Sequence, residues 1–111
     1  MAVSDSYLEY VRELLAEVPG LRTRRMFGGV GVYSGEHMFA LVADDVLYLK
    51  TDATTRSAFA QAGGSPFRYA RDGRHITMGF STVPADALEM PQALAGWVDL
   101  ALQASMRAKG G

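Results

Sequence analysis

Short β-rich runs separated by turn signals fill the stretch from Arg22 to Lys50, and they restrict the chain to folds built on an antiparallel sheet. Ser34-Gly35-Glu36-His37 predicts one turn and Asp44-Asp45 the next, so the stretch is expected to form a three-stranded meander. The Gly28-Gly29 pair predicts a bulge or sharp bend inside the first strand.

Apolar side chains are expected on both faces of this meander. If Asp44-Asp45 forms a two-residue hairpin loop, Leu41 faces Tyr48. The next pair along, Val42 and Leu47, then points to the other side of the sheet. A sheet with one face in water should alternate more cleanly, so the pattern predicts that some surface is covered by a second copy or a partner.

A second hairpin is predicted around Asp72-Gly73, the strongest short-range turn signal in the chain. Counting outward from this turn places Phe67 and Tyr69 on one face of the hairpin and Arg68 on the other. The clean alternation predicts that the two aromatic side chains lie in the core.

Helical periodicity flanks the strands in three places. Apolar residues repeat with helical spacing from Tyr7 to Val18, and Pro19-Gly20 ends that helix. A second helical segment runs from Thr51 to Ala62, and a third carries an apolar stripe from Leu94 to Leu102. The sequence therefore predicts one α+β domain over residues 1–111, of order αβββαββα, with an antiparallel sheet packed by helices.

Composition excludes several classes of protein. The chain of 111 residues has no cysteine, which rules out disulfides, thiolate catalysis and cysteine-based zinc sites. Its net charge of −1 gives no overall attraction to nucleic acid or to an anionic membrane. The N-terminus lacks signal-peptide features and no apolar run is long enough to span a bilayer, so we expect a cytoplasmic protein without membrane contact.

No residue pattern predicts a catalytic, metal or cofactor site. The two histidines, His37 and His75, fall in or beside turns and lack the converging ligands that a metal ion needs. Gly28-Gly29-x-Gly31 is glycine-rich like a phosphate loop, but it leads into a predicted strand instead of a helix N-terminus. We therefore expect no cofactor and no enzymatic activity.

Arginines on the second hairpin support an alternative, a nucleic-acid interface. Arg68, Arg71 and Arg74 cluster there and alternate with Phe67 and Tyr69, a composition also found on surfaces that bind single strands. Aromatic side chains buried in the core cannot stack on bases, and the near-neutral charge weakens counterion-driven binding. Nucleic-acid binding is therefore the second hypothesis.

An acidic ridge runs along the first helix. Asp5, Glu9, Glu13 and Glu17 recur every four residues and stack like charges on one stripe. A solvated helix face explains this ridge, since exposed charge stripes are individually weak. The alternative is that an arginine of the first strand, or a basic partner, lies against it.

Linked motifs in a fixed order give the chain a family resemblance. In chain order they are Arg-Arg-Met-Phe-Gly-Gly-x-Gly-x-Tyr from Arg24, Met-Phe-Ala-Leu from Met38, Leu-Tyr-Leu-Lys-x-Asp from Leu47, Pro-Phe-x-Tyr from Pro66, and the region around Pro84 and Trp97. Together they cover nearly the whole chain and resemble the N-terminal domain of the TfoX/Sxy family, bacterial proteins linked to competence regulation.

The resemblance implies an α+β fold similar to the secretion-chaperone-like architecture and a regulatory role. The N-terminal domain of the family has no established catalytic residues to carry over. Full-length competence regulators of the family add a helical C-terminal domain. Since this chain ends after its last helix, we expect it to correspond to the N-terminal domain alone.

These observations predict a non-enzymatic regulatory or adaptor module that acts through protein–protein contacts and is linked to competence or transcription. The expected partner is a protein of unknown identity, and a homodimer is expected because both sheet faces carry apolar residues. The residues nominated for protein binding lie beside the bent strand: Arg24, Arg25, Phe27 and Tyr33.

Overall fold

The fold is a layer of helices on a single sheet. A computed structural model describes residues 3–26, 29–71 and 74–110, and the side chains of all of these except residues 69–71, 74–78, 109 and 110. The strands are β1 (Leu21–Met26), β2 (Gly29–Ser34), β3 (His37–Ala43), β4 (Val46–Lys50), β5 (Pro66–Arg71) and β6 (Arg74–Ser81). The helices are α1 (Asp5–Leu14), α2 (Arg56–Gln61) and α3 (Pro91–Gly110), with a 3₁₀ helix at Ala85–Glu89. The sheet is antiparallel and six-stranded, in the order β1-β2-β3-β4-β6-β5.

The predicted α+β class with an antiparallel sheet packed by helices is confirmed, but the first meander has four strands instead of three. What the sequence presented as one bent strand is the antiparallel pair β1 and β2, whose register closes with Met26 opposite Gly29. The chain therefore reverses at this point, where a bend was predicted; Gly28 itself lies outside the described residues. The element order is αββββαββα.

The β3–β4 hairpin has the predicted register. Leu41 lies opposite Tyr48, and the neighbouring Val42 lies opposite Leu47. The loop residues Asp44-Asp45 have φ values of 54° and 57°. Two-residue type I′ loops require this left-handed conformation, and aspartate tolerates it better than most residues.

The helices cover one face of the sheet and bury the core against it. Val30 and Val32 of β2, Val42 of β3 and Leu49 of β4 are fully buried on this side. The helical part of the core includes Leu8, Val11, Leu15, Phe59, Leu94, Val98 and Ala101. No helix within the described residues is long and apolar enough to cross a bilayer.

The β5–β6 hairpin keeps the predicted register near its turn and loses it further out. Tyr69 lies opposite Ile76 and Arg68 opposite Thr77, but the register shifts between Pro66 and Arg68. The predicted turn at Asp72-Gly73 lies outside the described residues.

The first half of the acidic ridge on α1 meets basic side chains of the same chain. The Arg25 guanidinium donates to the Asp5 carboxylate at 3.3 Å, and Arg12 lies 3.8 Å from Glu9. At its Asp5 end, the acidic ridge therefore contacts an arginine of the first strand, which was the second of the two interpretations given above. Both ion pairs are exposed, so each contributes only a few tenths of a kcal/mol.

An ion pair ties the end of α3 to the segment after β4. The Arg107 guanidinium donates to the Asp52 carboxylate at 2.7 and 3.1 Å. Asp52 Oδ1 also accepts from the backbone N–H groups of Thr54 and Thr55, which orders the turn before α2. The hydrogen bond from Arg107, ahead of those from the backbone, lowers the pKa of Asp52 from 3.8 to about 2.

Asp52→Asn is expected to destabilise the fold in a pH-dependent way. Because the pKa of Asp52 is lower in the folded chain than in the unfolded one, its charge stabilises the fold above about pH 5, and this stabilisation is lost as the pH falls through about 2. Because water screens this half-exposed ion pair, we expect Asp52→Asn to lower the free energy of unfolding by about 1 kcal/mol at neutral pH. Urea unfolding at pH 7 and pH 2 measures it, with exposed Asp86→Asn as the control. An equal loss at both pH values would contradict the assignment.

Candidate binding surface on the open sheet face

The face of the sheet opposite the helices carries a second set of apolar side chains. Cross-strand partners share a face, and the register places Arg24, Gly31, Leu41 and Tyr48 in one row across β1 to β4. We call this surface the open face. Its described side chains are Arg22, Arg24, Met26, Tyr33, Met38, Leu41, Ala43, Val46, Tyr48, Lys50, Phe67 and Phe80.

Two of these apolar side chains are buried outside the core cluster formed with the helices. Leu41 is 8% exposed and Phe80 is 7% exposed. Lys50 lies over the Phe80 ring. Phe80 also borders a cavity shared with residues of α2, namely Arg56, Phe59 and Ala60. Met26, at the edge of the same surface, is 43% exposed. The open face is thus a well-packed apolar surface that remains accessible at its rim.

The aromatic rings of the open face are already in contact with other side chains. The Arg22 guanidinium lies 5.6 Å from the centre of the Tyr33 ring, and Lys50 Nζ lies 5.1 Å from the centre of the Phe80 ring. Both distances are within the range of a cation–π interaction. Tyr48 packs edge-on against Phe67, with 4.9 Å between ring centroids, although β6 lies between their strands.

The described residues of the open face include cations but no carboxylates. Among its described residues the open face has three cations, Arg22, Arg24 and Lys50, and no carboxylate. The described aspartates and glutamates lie on helices, turns and loops instead. The chain as a whole has a net charge of −1, so this separation makes the open face a local basic surface on a near-neutral protein.

The glycines of β2 have two different structural roles. A Cβ on Gly29 would lie 2.5 Å from the Val42 carbonyl oxygen, so Gly29 permits the close approach of β3. A Cβ on Gly31 would instead meet the side-chain ends of Met26, Tyr33 and Met38 at 3.1–3.3 Å. Gly31 therefore gives these three side chains the space to pack over β2 on the open face. Both glycines lie within a paired strand, which is not the strand-to-helix geometry of a phosphate loop.

The edges of the sheet are poorly suited to pairing with another strand. The edge strand β1 carries Arg22, Arg24 and Arg25, and charged side chains discourage edge-to-edge pairing. The other edge strand, β5, begins at Pro66, which has no backbone N–H to donate. The open face is therefore better suited than the edges to contact another molecule.

The structure brings together two of the four residues nominated for protein binding. Arg24 and Tyr33 lie on the open face, one on each strand of the β1–β2 pair. Arg25 points to the helix side, where it pairs with Asp5. Phe27 lies outside the described residues.

The prediction that Phe67 lies in the core is wrong. Phe67 is half-buried on the open face, where it packs against Tyr48. Arg68 is exposed. Arg71 and Arg74 are paired at the end of the hairpin, but their side chains lie outside the description. An arginine cluster on this hairpin thus stays a prediction.

Sequence reasoning missed Arg22, Met38, Lys50 and Phe80 as members of the surface. The row from Leu41 to Tyr48 was predicted correctly, and Lys50 follows from it by alternation along β4. Arg22 needed the β1–β2 register, which was hidden because the glycine pair indicated a bend. Met38 and Phe80 needed the β2–β3 irregularity and the β4–β6 pairing, which are long-range properties.

Groups that bind metal ions do not converge in the described part of the chain. No set of three or more histidine, cysteine, aspartate or glutamate residues is close enough there to hold a metal ion. His37 is half-buried, and its Nδ1 atom is buried without a hydrogen-bond partner. His37, the last residue of the predicted turn, is therefore not fully exposed.

Comparison with known proteins agrees with the motifs and the fold. Residues 13–105 match the family model described as the TfoX N-terminal domain. The chain is also similar to the DNA transformation protein TfoX1 of Aliivibrio fischeri, with 29% identity over 82 residues. That match covers 74% of this chain but only 39% of the relative, so the chain spans about two fifths of the relative's length. The open face, its glycines and its flanking strands lie within the matched residues, and the chain belongs to the TfoX N-terminal domain family.

Proposed function

We propose that this chain is a non-enzymatic regulatory module that acts in DNA transformation by docking an acidic, partly apolar segment of a partner protein on the open face. The observation that carries the proposal is the combination, on one accessible sheet face, of packed apolar side chains with cations and no described carboxylate. The link to transformation rests on family membership and on the Aliivibrio fischeri relative, which is a DNA transformation protein.

A protein partner is favoured over nucleic acid because the aromatic rings of the open face already contact other side chains. Stacking on bases needs a bare ring face. Here Arg22 covers Tyr33, and Lys50 covers Phe80. The Phe67 ring is engaged by Tyr48. A surface of packed apolar side chains bordered by cations suits a protein segment with leucine or aromatic residues and nearby carboxylates.

A partner of opposite charge is also favoured over a second copy on this face. A two-fold dimer through the open face would place its own cations, Arg22, Arg24 and Lys50, near those of the other copy. Like charges across an interface disfavour association. The homodimer predicted from the sequence would then use another surface. Sedimentation of the purified chain at several concentrations measures whether the chain dimerises.

Charge reversal on the open face tests the proposed function in the host cell. The triple variant Arg22→Glu, Arg24→Glu, Lys50→Glu is expected to lower transformation frequency by about tenfold or more, because it removes the attraction for an acidic partner. Arg12→Glu, an exposed charge change on α1 on the other side of the sheet, is the control. Thermal unfolding verifies that each variant folds. Normal transformation with the folded triple variant would contradict the proposal.

The nucleic-acid alternative is tested on the same proteins. Binding of labelled single-stranded DNA that collapses as salt rises, and that weakens in Arg68→Glu, would favour it. We expect no such binding at physiological salt, because the chain has a net charge of −1 and the described rings of the open face are in contact with other side chains.

A further inference from the structure

A groove of about 530 Å³ lies on the helix side of the molecule. We call it the α1–α3 groove. One wall is the last turn of α1 together with the turn that follows it, residues 13–19, and the other is α3 from Pro91 to Leu102. Leu14 and Val18 line one wall, and Leu94 and Leu102 line the other. Leu14, Val18 and Leu102 are only half-buried, so the apolar floor of the groove is accessible from solvent. The groove is separate from the open face, which lies on the opposite side of the sheet.

The rim of this groove is acidic on both walls. Glu13 and Glu17, the second half of the acidic ridge, border the α1 side, and Asp99 borders the α3 side. Among the residues that the structure describes, no lysine or arginine lines the groove. Within the described residues neither glutamate has an ion-pair partner, unlike Asp5 and Glu9 at the other end of the ridge. The contact of Asp99 is a hydrogen bond from the neutral amide of Gln103.

We propose that the α1–α3 groove docks an amphipathic helix of a partner protein, with an apolar stripe flanked by lysine or arginine. An apolar groove is a recurring receptor for the apolar face of an amphipathic helix, and here α3 and the end of α1 with its following turn provide the two walls. The carboxylates on both walls select cations on both sides of that stripe. Along α3 the groove extends from Pro91 to Leu102, about 17 Å at 1.5 Å per residue, which matches a helix of about three turns.

This inference goes beyond the proposed function, because it assigns a second partner to a second surface. The open face is basic and the α1–α3 groove is acidic, so the two sites select partners of opposite charge. A chain that holds both partners at once would bring them together on opposite sides of one small domain. The open face of a second copy is a poor occupant, since a flat sheet does not enter a groove between helices.

Binding of three designed peptides to the full chain tests the inference. The first is a 14-residue helix with leucines at i, i+3, i+4, i+7 and i+11 and lysines beside that stripe. The second has glutamate in place of each lysine, and the third has the composition of the first in scrambled order. Fluorescence anisotropy at low and physiological salt gives the affinities. We expect the first peptide to bind at least about tenfold more tightly than either of the others, because only it combines the stripe with the cations.

Two variants locate the binding site. The first variant is Ala95→Trp. Ala95 is exposed and lines the groove, so the larger side chain should fill the groove and abolish binding of the first peptide. Glu13→Lys with Glu17→Lys and Asp99→Lys should weaken binding about tenfold or more. Glu9→Lys, on the same helix but outside the groove, is the control and should change affinity less than about twofold.

Several results would overturn the inference. They are equal binding of the lysine and glutamate peptides, equal binding of the scrambled peptide, and binding that Ala95→Trp leaves intact. Failure of the lysine peptide to bind, together with self-association of the chain that Ala95→Trp abolishes, would instead assign the groove to a second copy. Circular dichroism of each variant shows whether the fold is retained. Since no open-face residue is altered, a failure here leaves the proposed function standing.

Discussion

Phe39→Ala is expected to destabilise the fold by about 3–5 kcal/mol, as for other phenylalanines removed from a packed core. Phe39 has no exposed surface and belongs to the core cluster with the helices. It lies at an irregularity in the β2–β3 register, where Val32 pairs with Ala40 and Tyr33 pairs with Met38. The extra residue on β3 lets Phe39 point into the core while Met38 stays on the open face.

Urea unfolding of the purified variant measures this loss. Since a variant this unstable risks not folding at all, Phe39→Leu provides a second measurement with an expected loss below about 1.5 kcal/mol. Phe67→Ala, on the open face, is the matched control and should cost less than Phe39→Ala because Phe67 is only half-buried. Equal losses for Phe39→Ala and Phe67→Ala would show that the helix side is not the main core.

Gly29→Ala is expected to destabilise the fold by about 3 kcal/mol, at the upper end of the cost of overpacking. The added methyl would lie 2.5 Å from the Val42 carbonyl oxygen. That oxygen belongs to the backbone of β3, which is paired on both sides and cannot move away without disturbing the sheet. Thermal and urea unfolding measure the loss.

Gly31→Ala is the matched control, two residues along the same strand. Its added methyl would meet the ends of flexible side chains, Met26, Tyr33 and Met38, which can shift by a few tenths of an ångström. We expect a change of less than about 1 kcal/mol. If Gly31→Ala proved as damaging as Gly29→Ala, the distinction between a backbone contact and a side-chain contact would be wrong.

Turn chemistry explains why so much of the fold was predictable. The Asp44-Asp45 pair is compatible with only a few types of hairpin loop. A two-residue loop at this position determines which residues of β3 and β4 face each other. The Gly28-Gly29 pair was ambiguous because glycine permits a bend and a full reversal equally well. Only the pairing of β1 with β2 separates the two interpretations, and pairing is a long-range property.

The candidate surface was harder to predict because alternation divides a strand into two faces without saying which face the helices cover. Phe67 was assigned to the core for this reason. Arg24 and Arg25 were nominated together although adjacent residues of a strand point to opposite faces. That signal was present in the sequence, and the structure separates the two arginines accordingly.

Photo-crosslinking from the open face, in the host cell, identifies the class of molecule that this surface contacts. A photoreactive phenylalanine analogue replaces Met38 on the open face and, in a control chain, Ala58 on the exposed side of α2. The account predicts a protease-sensitive, nuclease-resistant adduct from position 38 that is absent from position 58. It also predicts that Arg22→Glu, Arg24→Glu and Lys50→Glu together abolish that adduct. An adduct that nuclease removes, an adduct between two copies of the chain, or no adduct from position 38 would contradict it.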